Sequence, residues 1–130
     1  MIEVTTISEE GSTSESQIRD YTVALDPSGD TAPNTLESLL ATYAACFVPA
    51  LRVGAKQRNV GELGRVEFHV TGELNDDGKL DSSAFDISVE ADITDEEAEK
   101  AVTRAKELCK VEDALKESVR AEVTVTANAF

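Results

Sequence analysis

The sequence predicts one α+β domain over residues 1–130, with the element order ββαββααβ. Segments of alternating apolar and polar residues, typical of strands, stand near both ends of the chain. A long apolar segment with helical spacing covers residues 34–59, and a second helical pattern begins near residue 94. Runs of strands and runs of helices in one short chain are typical of an α+β domain. We therefore expect a long buried central helix packed on an antiparallel sheet.

Two short strands are predicted before the long helix. One begins at Ile2, and the other covers residues 18–25. The polar segment 8–17 between them is predicted to be a hairpin connection or a flexible loop. Arg19 stands at the start of the second strand and is the only basic residue before Arg52. It is therefore the one N-terminal side chain that could bring a positive charge to a site on the helix. The alternative is a solvated arginine at the end of a strand, which is the common case for surface arginines.

The long helix is predicted to be the central element of the core. Apolar residues occupy nearly every side of it between positions 39 and 51, which is typical of a helix buried between other elements. Asn34 or Thr35 can cap its N-terminus, and Glu37 lies in its first turn, where an acidic side chain is favourable. Cys46 lies near its centre. The helix thus places a thiol in the middle of the predicted core.

The elements after this helix are two strands, two helical pieces and a last strand. Alternating patterns predict strands at residues 65–71 and 85–92. Residues 94–97 match a capping box, so a helix is expected to begin there, and its apolar stripe ends at Cys109. A short helical piece follows, and residues 119–127 are predicted to form the final strand. The second thiol therefore lies at the end of the second predicted helix.

The charge of the chain limits its partners. With 26 acidic and 12 basic residues, the formal net charge is −14, which argues against nucleic acid and anionic membranes as partners. The acidic residues are spread over all predicted surfaces, a pattern that favours a protein from a halophile over an ordinary acidic protein. The N-terminus lacks the pattern of a signal peptide, and no run of about 18 apolar residues is present. We expect a cytoplasmic protein.

Two cysteines and one histidine are too few for a disulfide scaffold or a zinc site, so no metal or cofactor is expected. His69 falls on the polar face of its predicted strand. Two uses of the cysteines stay open at this point, thiol redox chemistry and simple packing in the core.

Two segments narrow these alternatives. Residues 39–47, LLATYAACF, are similar to the central-helix motif of the OsmC/Ohr family, which contains thiol-dependent peroxide reductases and their relatives. Residues 105–115 resemble the second-cysteine motif of the same family. The resemblance covers about three-quarters of the chain. It implies a hydroperoxide reductase in which Cys46 is the peroxidatic cysteine, Cys109 is the resolving cysteine, and the two form an intramolecular disulfide.

The resemblance also implies partners and further site residues. It implies an intertwined homodimer with active sites at the interface, regenerated by an external dithiol such as a dihydrolipoyl group. Peroxidases of the family carry an activating arginine, for which Arg19 is the nearest candidate here. They usually carry a glutamate ten residues before the first cysteine, where this chain has Leu36, with Glu37 one residue further along.

Leu36 keeps an alternative function open, namely a homodimer of this fold without peroxidase activity that binds a small molecule or has a structural role. A permanent disulfide between Cys46 and Cys109 is a third, weaker possibility, because it conflicts with a cytoplasmic location. For the redox function, burial in mid-helix is expected to raise the pKa of Cys46, so that activation would require a cation such as Arg19. Lys110 is expected to lower the pKa of its neighbour Cys109.

Overall fold

In the computed structural model, which describes residues 1–130, the chain forms two units, Met1–Leu39 and Leu40–Phe130. The first unit contains a three-stranded antiparallel sheet of β1 (Thr5–Ile7), β2 (Ser14–Ile18) and β3 (Tyr21–Leu25), with β2 in the middle. Two strands were expected here, so the sheet contains one strand more than the sequence predicts.

The additional strand is β2, which lies mostly in the segment predicted to be a connection. Its sequence, SESQI, has an apolar residue only at Ile18, so it lacks the apolar alternation from which a strand is recognised. It forms because β1 and β3 pair with it on either side and satisfy its backbone hydrogen-bonding groups. Arg19 therefore lies in the turn between β2 and β3, with a positive φ of 54°.

The long helix, α1, covers Thr35–Gln57. Asn34 caps its N-terminus, as predicted, by accepting a 2.8 Å hydrogen bond from the backbone N–H of Glu37. The Glu37 carboxylate in turn accepts a 2.9 Å hydrogen bond from the N–H of Asn34. This reciprocal pair is a capping box, and it gives Glu37 a structural role at the start of the helix.

The expectation that α1 is buried on nearly every side is wrong for the single chain. One face of the helix is buried, and its members are Tyr43, Phe47, Ala50, Leu51, Gly54 and Ala55. On the other side, Ala41, Ala45, Pro49 and Val53 are exposed. The sheet and a second helix of the same chain cover only one side of α1, so an apolar face of the helix is left without a partner in the single chain.

By length and composition alone, α1 could also cross a membrane, because its most apolar 18 residues have a mean hydropathy of 1.4. One third of that window is buried inside the fold. A core helix of a soluble protein passes the same test, so hydropathy does not assign α1 to a membrane.

The second unit has a three-stranded sheet of β4 (Val66–Leu74), β5 (Leu80–Val89) and β6 (Glu122–Thr126), with β5 in the middle. β4 and β5 are antiparallel, as predicted, whereas β6 runs parallel to β5. The helices α2 (Asp95–Leu108) and α3 (Lys110–Ala114) lie between β5 and β6 in the chain. Such a helical crossover returns the chain in its original direction, and this makes the last pair parallel.

A capping box begins α2, and a glycine lies where this helix packs against α1. The predicted capping box is present, since Thr94 accepts from the N–H of Glu97 at 3.1 Å and Glu97 accepts from the N–H of Thr94 at 3.0 Å. Gly54 lets the two helices come close, because a Cβ at this position would lie 2.9 Å from the carbonyl oxygen of Ala101. The end of α2, which carries Cys109, belongs to the same close-packed region.

The centre of the second unit is aromatic. The ring centroid of Phe85 on β5 lies 4.6 Å from that of Tyr43, 5.3 Å from that of Phe47 and 5.4 Å from that of Phe68. These contacts join the buried face of α1 to the sheet. Helix packed on sheet in this way confirms the α+β class.

Candidate functional site

Cys109 ends one helix and begins the next. Its backbone is extended, with φ −72° and ψ 111°, so the helical ladder stops at this residue. Its N–H donates to the carbonyl of Ala105 at 2.9 Å, and its own carbonyl accepts from the N–H of Asp113 at 3.2 Å. The first N–H groups of a helix have no acceptor within that helix. The interruption therefore leaves the first N–H groups of α3 free to interact with the thiols.

Cys46 lies against this turn. Hydrogen bonding from the backbone of Val111 lowers the pKa of the Cys46 thiol, and the side chain of Cys109 and the backbone of Lys110 act in the same direction. The positive charge of Lys110 also lowers this pKa, while partial burial opposes these effects. The side chain of Cys46 is half-buried. Cys46 is therefore both accessible and disposed to ionise.

Cys109 has the opposite properties. Its residue is only 1 % exposed, and burial is the largest cause of the raised pKa of its thiol. The neighbouring Cys46 raises this pKa further, while the backbone of Glu112 and of Val111 oppose the increase. Both cysteines are free, and each is among the groups that shift the pKa of the other, so the two thiols lie close together. The structure thus brings together the two residues that the sequence motifs single out.

Two expectations about thiol acidity are wrong. Burial was expected to raise the pKa of Cys46, but the α3 backbone outweighs burial and lowers it. Lys110 was expected to act on Cys109, but its charge lowers the pKa of Cys46 instead. Both differences have one cause, the break at Cys109, which turns the start of α3 toward α1. The helical piece after Cys109 was the sequence signal for this arrangement.

The other two predicted site residues lie in the first unit. The guanidinium carbon of Arg19 is 6.0 Å from the ring centroid of Tyr21, the first residue of β3. The Glu37 carboxylate takes part in the capping box of α1. Neither residue is among the causes of the Cys46 pKa shift. A role for Arg19 or Glu37 in catalysis stays a prediction.

One buried polar cluster was missed. Glu112 is 5 % exposed. Its carboxylate accepts a 2.5 Å hydrogen bond from the Tyr43 hydroxyl and a 3.1 Å hydrogen bond from the Lys106 ammonium. Burial and Glu112 raise the pKa of Tyr43 above its ordinary range, so the hydroxyl keeps its proton. Glutamates are rarely buried, so nothing in the sequence marks Glu112 as a core residue. No local pattern signals that its partner is Tyr43, 69 positions away.

The difference in acidity and exposure leads to a testable selectivity. With limiting iodoacetamide at pH 7–8, we expect Cys46 to be alkylated at least about tenfold faster than Cys109, because the thiolate is the reacting form. As pH rises, the Cys46 rate should level off first, since its pKa is the lower one. Peptide mass spectrometry of time points measures both rates. Equal rates in the folded protein, with a denatured sample as control, would contradict this expectation.

The structure contains no group of three or more His, Cys, Asp or Glu side chains that could hold a metal ion.

Comparisons with known proteins identify the family and the fold of this chain. The sequence model described as OsmC-like protein matches residues 28–124. An uncharacterized protein of the halophile Haloferax volcanii is 38% identical over 129 residues, 99% of this chain and 98% of its own. The organic hydroperoxide resistance protein-like 2 of Staphylococcus saprophyticus is 36% identical over 104 residues, 77% of this chain and 72% of its own. The crystal structure of an OsmC like protein from Mycoplasma pneumoniae has a TM-score of 0.84 at 17% identity, covering 98% of this chain and 96% of that chain.

These similarities confirm two predictions. The solved structure has the same fold as this chain, which confirms the fold class. The relative from Haloferax volcanii agrees with the halophilic character predicted from the net charge. The matched residues include both cysteines and their helices. The chain therefore belongs to the OsmC-like protein family, which is related to organic hydroperoxide resistance proteins.

Proposed function

We propose that this protein reduces organic hydroperoxides with Cys46 as the peroxidatic cysteine and Cys109 as the resolving cysteine. The observation that carries the proposal is the proximity of two free thiols whose pKa values are shifted in opposite directions. The accessible thiol is the more acidic one, and a buried partner lies beside it. This is the arrangement that a two-cysteine peroxidase needs. The first thiol must ionise to attack the peroxide, and the second must stay reduced until the sulfenic acid has formed.

The proposed reaction has two steps. The Cys46 thiolate attacks one oxygen of the hydroperoxide, the O–O bond breaks, and the alkoxide takes up a proton to leave as the alcohol. Cys46 is then a sulfenic acid. The Cys109 thiol condenses with it, which forms the disulfide and releases water. Two electrons thus pass from the two thiols to the peroxide, and an external dithiol returns them by thiol–disulfide exchange.

The family resemblance and the net charge of the chain suggest further site residues, a reductant, a location and limits on the partners. Arg19 is proposed as the cation that faces the peroxide, and Glu37 as a residue that supports it from the helix start. A dithiol such as a dihydrolipoyl group is proposed as the reductant. The proposed location is the cytoplasm, where thiols stay reduced. The net charge of −14 supports the absence of nucleic acid and membrane partners.

A homodimer is also proposed. The exposed apolar side of α1, with Ala45, Pro49 and Val53, has no partner within the single chain. In the first unit, Tyr21 and Val23 are likewise exposed. A second copy that covers these surfaces would bury apolar area that one chain leaves in water.

The proposal is tested by the stoichiometry of oxidation. Reduced protein is titrated with cumene hydroperoxide in concentrated KCl, and free thiols are counted after each addition. One equivalent should remove both thiols of the wild type and produce an intramolecular Cys46–Cys109 disulfide. In Cys109→Ser, one equivalent should leave a sulfenic acid at Cys46, which dimedone traps. Slow oxidation that is equal at both thiols and needs a large excess of peroxide would contradict the function.

A second candidate is a member of the family without peroxidase activity. The observation that favours it lies at the start of α1, where Leu36 occupies the position of the expected glutamate and Glu37 is held in the capping box. Such a protein would bind a small molecule or act as a structural dimer. The titration separates the two candidates, since the second one predicts no rapid loss of thiols.

A further inference from the structure

A buried carboxylate connects the elements that carry the two thiols. Glu112 is the third residue of α3 and is 5 % exposed. Its Oε1 accepts from Tyr43 of α1 at 2.5 Å and lies 3.1 Å from the ammonium of Lys106 on α2. Tyr43 is three residues before Cys46, and Lys106 is three residues before Cys109. One side chain therefore ties together the turns that hold both sulfur atoms.

The residues around Glu112 fix its orientation. The backbone N–H of Ala121 donates to the Tyr43 oxygen at 3.0 Å, and the carbonyl of Ala121 accepts from Lys106 at 2.7 Å. Arg120 donates from Nε to the backbone carbonyl of Glu112 at 3.0 Å. No buried side-chain oxygen or nitrogen lacks a hydrogen-bond partner. The carboxylate and the main chain of Glu112 are thus both held in place.

Stability alone is a weak reason for such a cluster. Buried ion pairs often contribute no more to stability than well-packed apolar residues of the same volume, because the charges lose their hydration. Their hydrogen bonds do require one specific arrangement of the groups. In this chain the hydrogen-bonded groups belong to α1, α2 and α3. The residue next to Glu112 is Val111, whose backbone interacts with Cys46.

We propose that Glu112 is a positioning residue that, through Tyr43 and Lys106, holds the first turn of α3 against the Cys46 sulfur. The backbone of Val111 and of Lys110 then stays directed at this sulfur atom. As a part of the peroxide reaction, this role rests on the proposed function. The other charged and titratable groups of this region are Tyr43, Lys106, Glu107, Cys109, Lys110, Asp113 and Arg120.

The test measures the pH dependence of Cys46 alkylation by iodoacetamide, with the alkylated peptide quantified by mass spectrometry. Tyr43→Phe removes one hydroxyl, keeps the ring in the core and leaves the charge of Glu112 in place. If Glu112 positions the turn, this variant should raise the apparent pKa of Cys46 by about one unit. At pH 7 the alkylation rate should then fall by about tenfold, since one pKa unit is a tenfold change in ionisation.

Ser83→Ala is the matched control. The Ser83 hydroxyl is also buried and donates a 2.6 Å hydrogen bond, to the carbonyl of Val119, but it is not among the groups that act on either thiol. This variant should lose stability in urea unfolding and still be alkylated at Cys46 within about twofold of the wild-type rate. Equal rates in Tyr43→Phe and Ser83→Ala, whether both fall or neither does, would overturn the positioning role.

Glu112→Gln provides a second measurement, which decides the question if Tyr43→Phe does not fold. If Glu112 acted only through its charge, its neutralisation would remove a negative group near the thiols and make Cys46 alkylation faster. If it acts by position, alkylation should become slower, because the ion pair with Lys106 is replaced by a weaker hydrogen bond to a neutral amide oxygen and the turn loosens. Faster alkylation would refute the proposal. Because no peroxide is used, a failure of the peroxidase function would leave this result unaffected.

Discussion

Cys46→Ser should consume cumene hydroperoxide no faster than the reductant alone, a loss of at least about 10³-fold, as is common when a nucleophile is removed. A serine hydroxyl does not ionise near pH 7 and cannot form a sulfenic acid, so the first step has no substitute. Cys109 cannot take over this role, because it is 1 % exposed and burial raises the pKa of its thiol. The measurement is peroxide consumption with dihydrolipoic acid as the reductant.

Cys109→Ser is the matched control for this experiment. It removes the second thiol, which is one of the groups that lower the pKa of Cys46, but a serine hydroxyl can donate a hydrogen bond in its place. The Val111 backbone, the largest cause, stays in place. It should therefore complete one turnover at a rate close to that of the wild type and then lose activity as Cys46 is over-oxidised. If Cys46→Ser kept more than a tenth of the wild-type rate, Cys46 could not be the peroxidatic residue.

Phe85→Ala should lower the free energy of unfolding by about 3–5 kcal/mol, the usual cost of emptying a buried aromatic site. Phe85 is 1 % exposed, and its ring lies against Tyr43, Phe47 and Phe68, so the surrounding groups have little freedom to fill the cavity. The free energy of unfolding of an ordinary domain is only about 5–15 kcal/mol. This change therefore removes a large share of the stability, as urea unfolding in concentrated KCl would show.

Phe130→Ala is the control with the same chemical change. Phe130 is 57 % exposed and lies under the guanidinium of Arg65, whose central carbon is 4.4 Å from the ring centroid. Its replacement should cost no more than about 1 kcal/mol, as for an exposed cation–π contact. Similar losses for the two variants would mean that the aromatic cluster is not the centre of the core.

The sequence is most informative where the determining contacts are local. The caps at Asn34 and Thr94 were predictable, because each cap involves residues three positions apart. The central helix and both cysteines were found from short motifs. The strand β2 was missed because its side chains are mostly polar and its pairing depends on both neighbouring strands. Local pattern therefore identified most elements but not every pairing.

The candidate site shows the same division. Cys46 and Cys109 could be predicted as a pair, but the relative acidity of their thiols could not. Which thiol has the lower pKa depends on the backbone of Val111 and Lys110, which interacts with Cys46 more than sixty positions away in the sequence. The Glu112 cluster was missed for the same reason, since its carboxylate and the Tyr43 hydroxyl are 69 positions apart.

By itself the sequence determined the α+β class, the helix caps, the two motif cysteines and the acidic character of the surface. These follow from spacing and composition, which act over a few residues or over the whole chain at once. Only the tertiary structure decided which face of α1 is buried, the parallel direction of β6, the acidity of the Cys46 thiol and the partners of Glu112. Burial and pKa depend on groups that meet only after folding, so no local pattern records them.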